Sequence, residues 1–275
     1  MKKFGLIGHP IAHSLSPALF KAAYAGKYTY DLIEEEDFNQ AYDRFISEYD
    51  AINVTAPFKE LAAAKADSRS RECEITGAAN ILVKNDDGTI EAANSDIMGV
   101  IGALSSRKGA EGSSTKALIV GCGGAAMAAA YATCTLGYET VIINRNQEKA
   151  KAYAEKLSKE PFFKVSADNL DSFCRHFRKS GIIIYTLPVM IPAIEQLSRK
   201  DLKGGFFCGN SRKTILEANY RNPAFTQEII DSMQSVNPEI SIINGKEWLL
   251  YQAVDAYRIF TQEEPDIEAM RNVFE

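Results

Sequence analysis

Gly121, Gly123 and Ala126 stand at the spacing G-x-G-x-x-A between an apolar run and a helical pattern. That spacing lets a backbone without side chains approach a pyrophosphate, and the helix start then favours the anion. The candidate contacts within Gly121-Cys122-Gly123-Gly124-Ala125-Ala126 are Gly121, Gly123, Gly124 and Ala125. Such a glycine pattern also serves as a plain strand-to-helix turn; the flanking βαβ rhythm favours the nucleotide. Sites for NAD carry an acid at the end of the next strand, on the ribose hydroxyls, but here Asn144-Arg145-Asn146 occupies that position. Arg145 suits an adenine face and a 2′-phosphate, and Lys149, one helical turn on, adds a second positive charge. The expected cofactor is NADP. Arg145 and Lys149 as mere decoration of a helix start would leave the coincidence of the three features unexplained.

Three polar clusters lie at the ends of predicted strands in the first hundred residues, where α/β folds gather ligand-binding groups. In His13-Ser14-Leu15-Ser16-Pro17, two hydroxyls precede a helix and could face a polyol; Ser16 before Pro17 also reads as an ordinary N-cap. In Asn53-Val54-Thr55-Ala56-Pro57-Phe58-Lys59, Asn53 and Thr55 share a face if the strand persists that far. Lys59 falls at a helix start, where the dipole disfavours a cation. The third cluster is Asn94-Ser95-Asp96, following Asn80 in the strand before, with Asp96 also placed to cap the next helix.

His9 and His13 have the i, i+4 spacing of a helical metal pair, but Pro10 and Pro17 interrupt any helix there, so no metal is expected. Five cysteines without C-x-x-C spacing fit free thiols in a reducing cytoplasm. Gly8, His9 and Pro10 break the first apolar run before it resembles a signal peptide, and no stretch approaches a membrane span. The net charge of −5 argues against nucleic acid or an anionic membrane as a partner and leaves a small molecule.

The elements that must position these groups alternate as in an α/β protein. Strands are expected at Phe4–Ile7, Thr29–Ile33 and Ala51–Val54, with helices at Pro17–Tyr24, Phe38–Ser47 and after Pro57. Ala79–Val83 and Thr89–Ala93 flank Asn85-Asp86-Asp87-Gly88, a hairpin turn that predicts an antiparallel edge. Ser105 to Thr115, rich in Ser, Gly and Lys, reads as a linker. A doubly wound unit follows: strands at Lys116–Val120, Thr140–Ile143, Ile182–Thr186, Gly205–Cys208 and Ile240–Ile243, with helices at Ala125–Leu136 and Gln147–Leu157. The expected fold is therefore α/β in two domains: residues 1–104 with a mostly parallel sheet and residues 105–245 of Rossmann type. A helical segment at about 246–275 should pack back on the first.

In order and spacing, the polar clusters resemble the shikimate dehydrogenase family. An S-x-S turn, N-V-T-x-P-x-K, G-A-x-N, N-[ST]-D, the glycine loop, an N-R-T-like Asn144-Arg145-Asn146 and a late Y-Q-A at Tyr251-Gln252-Ala253 recur almost from end to end. The resemblance implies that Ser14, Ser16, Asn53, Thr55, Asn80 and Gln252 bind a polyhydroxylated substrate, with Lys59 and Asp96 as the catalytic pair. It implies reversible, NADPH-dependent reduction of 3-dehydroshikimate to shikimate in a cytoplasmic monomer or homodimer. A mixed quinate/shikimate specificity and a non-catalytic sensor of shikimate or dinucleotide are the alternatives.

Several positions depart from the family pattern. Tyr185-Thr186-Leu187-Pro188 stands in place of Asn-Ala-Thr-Pro, Met127 in place of an arginine after the glycine loop, and Glu247-Trp248 in place of Gly-Met. In the stretch D-x-x-Y-x-P-x-x-T, counting back from Thr214 puts Gly209 at the tyrosine. Nicotinamide placement and pyrophosphate affinity are where these changes should be felt.

Overall fold

The computed structural model describes residues 2–106, 114–203 and 211–275. They divide into two compact units, residues 1–99 with 249–275 and residues 100–248. Most of the expected linker, and the strand expected at Gly205–Cys208, lie outside the described residues.

The first unit begins with β1 (Lys3–Gly8), α1 (Ser16–Ala23), β2 (Thr29–Glu34), α2 (Phe38–Glu48), β3 (Ala51–Val54) and α3 (Lys59–Lys65). It continues through β4 (Ser68–Arg69), α4 (Arg71–Thr76), β5 (Ile81–Lys84), β6 (Ile90–Ala93) and the start of α5 (Asp96–Ser105). The strands form one sheet in the order β2-β1-β3-β5-β6-β4. β1 pairs parallel with β2 and β3, whereas β5 runs antiparallel to both β3 and β6. The hairpin turn is present, with Gly88 at φ 85°, but the antiparallel pair is not at the edge, because the two-residue β4 adds parallel to β6.

Strand alternation splits the core into two layers. Ile7, Ile52, Val54 and Leu82 pack with Phe38, Phe45 and Phe58 on one side. Phe4, Ala51 and Ile81 pack on the other with Phe20 and with Leu250, Tyr257 and Phe260 of the late helix. Asn53, two residues after Ala51, inherits this second face.

The second unit comprises β7 (Lys116–Val120), α6 (Gly124–Thr135), β8 (Glu139–Asn144), α7 (Gln147–Leu157), β9 (Val165–Asn169), α8 (Phe173–Lys179), β10 (Ile182–Tyr185), α9 (Arg199–Lys203), β11 (Lys213–Glu217), α10 (Gln227–Val236) and β12 (Ile240–Asn244). The chain then enters α11 (Gly245–Thr261) and ends with α12 (Ile267–Asn272), which packs against α1. The six strands among its described residues are all parallel, in the order β12-β11-β10-β7-β8-β9. The order reverses between β7 and β10, the switch point at which such sheets bind ligands. β7 and β10 read as uninterrupted apolar runs because both of their faces are covered. Lys213 is buried beside them, its ammonium donating to the carbonyls of Phe177, Arg178 and Ser180 at the end of α8. Among the described residues, no helix is long and apolar enough to cross a membrane.

Candidate active site

At the ends of β1, β3 and β5, the polar side chains of the first unit form two hydrogen-bonded groups. The Ser14 hydroxyl donates to Ser16 Oγ at 3.1 Å and accepts from the Ser16 amide at 3.2 Å. Ser16 is not the N-cap that its place before Pro17 suggests. It is the first residue of α1, with Leu15 in the cap position, and its hydroxyl pairs with Ser14. The buried Asn53 accepts from the Tyr30 hydroxyl at 2.8 Å and donates to the Asn80 carbonyl at 3.2 Å. Asn80 donates both amide hydrogens, to Ser95 Oγ and to Gln252 Oε1 at 3.0 Å each, and accepts from the Ser95 amide at 2.8 Å. Tyr30 and Ser95 complete this network. Ser95 lay within a recognised cluster, whereas Tyr30 sits in a β-type run that carries no polar motif.

The Thr55 amide still donates to the Ile7 carbonyl at 2.9 Å, one step past the last paired residue of β3. β3 stops at Val54, and Thr55 opens a turn in which its carbonyl accepts from Phe58 at 3.0 Å. That turn delivers Lys59 as the first residue of α3, and the Asn94 carboxamide, accepting from the Asp96 amide at 3.0 Å, shapes the entry to α5. The two helix starts thereby bring the Lys59 ammonium onto the Asp96 carboxylate in an ion pair. With side chains only 19% and 9% exposed, the pair is largely withdrawn from water but retains an open side. Among the described residues, no cluster of His, Cys, Asp and Glu could hold a metal ion.

In the second unit, Gly121 has φ 116° and its amide donates to the Ile143 carbonyl. A Cβ there would lie 2.4 Å from Thr186 Oγ1, so the turn needs glycine. Gly123 is the N-cap of α6 and offers its first amides no side-chain acceptor, and a Cβ on it would meet open space. Uncapped amides facing an open cradle fit a pyrophosphate. Gly124 and Ala125 form the first turn of the helix. Because Val120 pairs with Ile143, Asn144 emerges beside this loop; Asn146 caps α7 by accepting from the Lys149 amide, and Arg145 and Lys149 are exposed.

Residues 6–82 match the shikimate dehydrogenase substrate binding domain, and residues 103–200 match the shikimate/quinate 5-dehydrogenase domain. The chain is 30% identical over 276 residues to the shikimate dehydrogenase (NADP(+)) of Methanothermobacter thermautotrophicus, spanning 98% of this chain and 94% of that protein. The chain belongs to the shikimate dehydrogenase family. A second member, from Methanopyrus kandleri, is 31% identical across 97% of this chain and 92% of its own. The crystal structure of the Mycobacterium tuberculosis shikimate dehydrogenase superposes with a TM-score of 0.79 at 27% identity, covering 99% of this chain and 98% of that one.

Against the pattern of the shikimate dehydrogenases, some of the departures acquire physical reasons. Tyr185 is wholly buried; its hydroxyl donates to the Val189 carbonyl at 2.7 Å and accepts from the Ile191 amide at 3.1 Å, pinning the loop after β10. Met127 points into the interior and is 7% exposed. The tyrosine stretch requires a correction. Thr214 lies inside β11, so counting back from it to Gly209, outside the described residues, uses the wrong threonine. Glu217, Tyr220, Pro223 and Thr226 instead follow the D-x-x-Y-x-P-x-x-T pattern with one extra residue before the proline. A tyrosine is therefore present in this loop.

Proposed function

We propose that this chain is an NADP-dependent shikimate dehydrogenase, an oxidoreductase acting on a CH-OH group, which reversibly reduces 3-dehydroshikimate to shikimate. The observation that carries this reading is the shielded Lys59–Asp96 pair beside a hydrogen-bonding network of hydroxyls and carboxamides. A cyclic polyol with a carboxylate and a ketone is the kind of ligand such a network recognises. Ser14, Ser16, Asn53, Thr55, Asn80 and Gln252 bind it, and residues 1–104 form the substrate domain.

When bound, reduced NADP supplies the hydride. As the ketone carbon gains it, charge develops on the oxygen; Lys59 stabilises that charge and delivers the proton, leaving an alcohol and oxidised cofactor. In the reverse direction Lys59 takes the alcohol proton. Asp96 holds the ammonium in place and hydrogen-bonds the same part of the substrate. Gly121, Gly123, Gly124 and Ala125 hold the pyrophosphate, and Asn144, Arg145 and Lys149 select the 2′-phosphate, within a cofactor domain of residues 105–245. The protein acts in the cytoplasm as a monomer or homodimer.

The test is consumption of NADPH with 3-dehydroshikimate, run beside NADH and in reverse with shikimate and quinate. Turnover with NADPH and shikimate well above the other arms supports the reading. Turnover that prefers quinate reassigns the substrate, and binding without turnover converts the protein to a sensor.

A further inference from the structure

The network of the first unit has two parts. The Ser14–Ser16 turn enters α1, and the Asn53, Asn80, Ser95 and Gln252 side chains gather around the ends of β3 and β5. Tyr30, from the neighbouring β2, bonds the second part and packs on aromatic rings that hold the first. Its hydroxyl donates to Asn53 Oδ1 at 2.8 Å. Its ring is fixed against Phe20, with centroids 4.8 Å apart, and edge-on to Tyr257 at 6.0 Å. Tyr257 in turn donates to the Ser16 carbonyl at 3.1 Å, so the same aromatic stack also holds the Ser16 turn.

We infer that Tyr30 is a positioning residue for substrate: its hydroxyl fixes the orientation of the Asn53 carboxamide, presetting a group that contacts the substrate polyol. This rests on the proposed reading of Asn53. An asparagine amide can rotate by half a turn at little steric cost, and what selects one orientation is the donor or acceptor met at each end. Tyr30 presents a donor to Oδ1, and the Asn80 carbonyl presents an acceptor to Nδ2. The amide is thereby locked, with one Nδ2 hydrogen left for a ligand oxygen. Burial pushes the Tyr30 pKa far above that of an ordinary tyrosine, so the donor persists across the working pH range. Removing the hydroxyl leaves Oδ1 without this donor in a shielded place and frees the amide to turn.

The experiment compares wild type, Tyr30→Phe, Asn53→Ala and the double variant, reading kcat, KM for shikimate, KM for NADP+ and the melting temperature. Phenylalanine retains the ring packing. The inference predicts that Tyr30→Phe raises KM for shikimate roughly tenfold, the scale of one buried hydrogen bond lost, with kcat and KM for NADP+ changed less than about twofold. It also predicts that the double variant binds shikimate no worse than Asn53→Ala. A merely structural tyrosine would lower the melting temperature and add its effect to that of Asn53→Ala. An unchanged KM for shikimate in an active Tyr30→Phe protein, or additive effects, overturns this inference alone. Wild-type protein that neither binds nor turns over shikimate overturns the functional reading, and the inference with it.

Discussion

The first residue of α3, Lys59, and the first residue of α5, Asp96, meet in a largely shielded ion pair. Asp96 suits its helix start, but Lys59 does not, since a cation there opposes the dipole. The geometry makes sense if each charge is needed by the other and by a ligand. Asp96→Asn keeps the shape and removes the charge that steadies the ammonium. The expected result is a fall in kcat/KM of about a hundredfold, measured by steady-state oxidation of shikimate, while KM for NADP+ stays near wild type.

Arg145 is exposed beside the glycine loop and should discriminate the two dinucleotides. Losing a charge-assisted contact to phosphate costs about 2 kcal/mol, or roughly thirtyfold. Arg145→Ala should therefore raise KM for NADPH by that factor and leave KM for NADH almost unchanged. Equal effects on the two would remove Arg145 from phosphate recognition.

The two loop glycines should respond differently to the same substitution. Gly121→Ala combines a φ of 116° with a Cβ 2.4 Å from the Thr186 hydroxyl oxygen, whose hydrogen goes to the Val120 carbonyl. A loss of about 2 kcal/mol of stability, or more, is expected in denaturant titration. At Gly123 the same methyl meets open space. Gly123→Ala should unfold near the wild-type midpoint and yet raise KM for NADPH, because the methyl fills the cradle in which a pyrophosphate would lie.

Glu217 is 2% exposed at the end of β11 and accepts from the amides of Asn219, Ala224 and Phe225, shaping the loop that carries Tyr220. Burial still pushes its carboxyl up to about 7 from the ordinary 4.5. The native state thus keeps a proton that the unfolded chain loses, so stability falls as pH rises from 4.5 to about 7, by about 3 kcal/mol in all. Denaturation of wild type at pH 5 and pH 8 should show this component, and Glu217→Gln should lack it. A pH dependence identical in the two proteins would refute the assignment to Glu217.

Legibility in the sequence followed the strength of the local signal. β7, the glycine loop and α6 were readable because an apolar run, fixed-spacing glycines and an alanine-rich helix agree. β4 and β9 were not: two residues in one, and Val165-Ser166-Ala167-Asp168-Asn169 in the other, have no apolar period, and their pairing comes from neighbouring strands. Lys59 and Asp96 could be named from motif order, but their convergence depends on the turns at Thr55–Phe58 and Asn94–Asp96. Tyr30 escaped notice because a tyrosine in a strand is ordinary; only its register beside Phe4 and its reach to Asn53 give it a role. Tyr220 was missed because one extra residue shifts its motif, and only the position of β11 identifies the relevant threonine.

The most direct test is single-turnover oxidation of NADPH by excess Lys59→Met protein and by wild type, with saturating 3-dehydroshikimate, alongside a titration of shikimate binding to each. Prompt and complete oxidation by wild type is expected, with the variant slower by about a hundredfold or more although it still binds shikimate. Equal rates in the two proteins would contradict the assignment of proton transfer to Lys59.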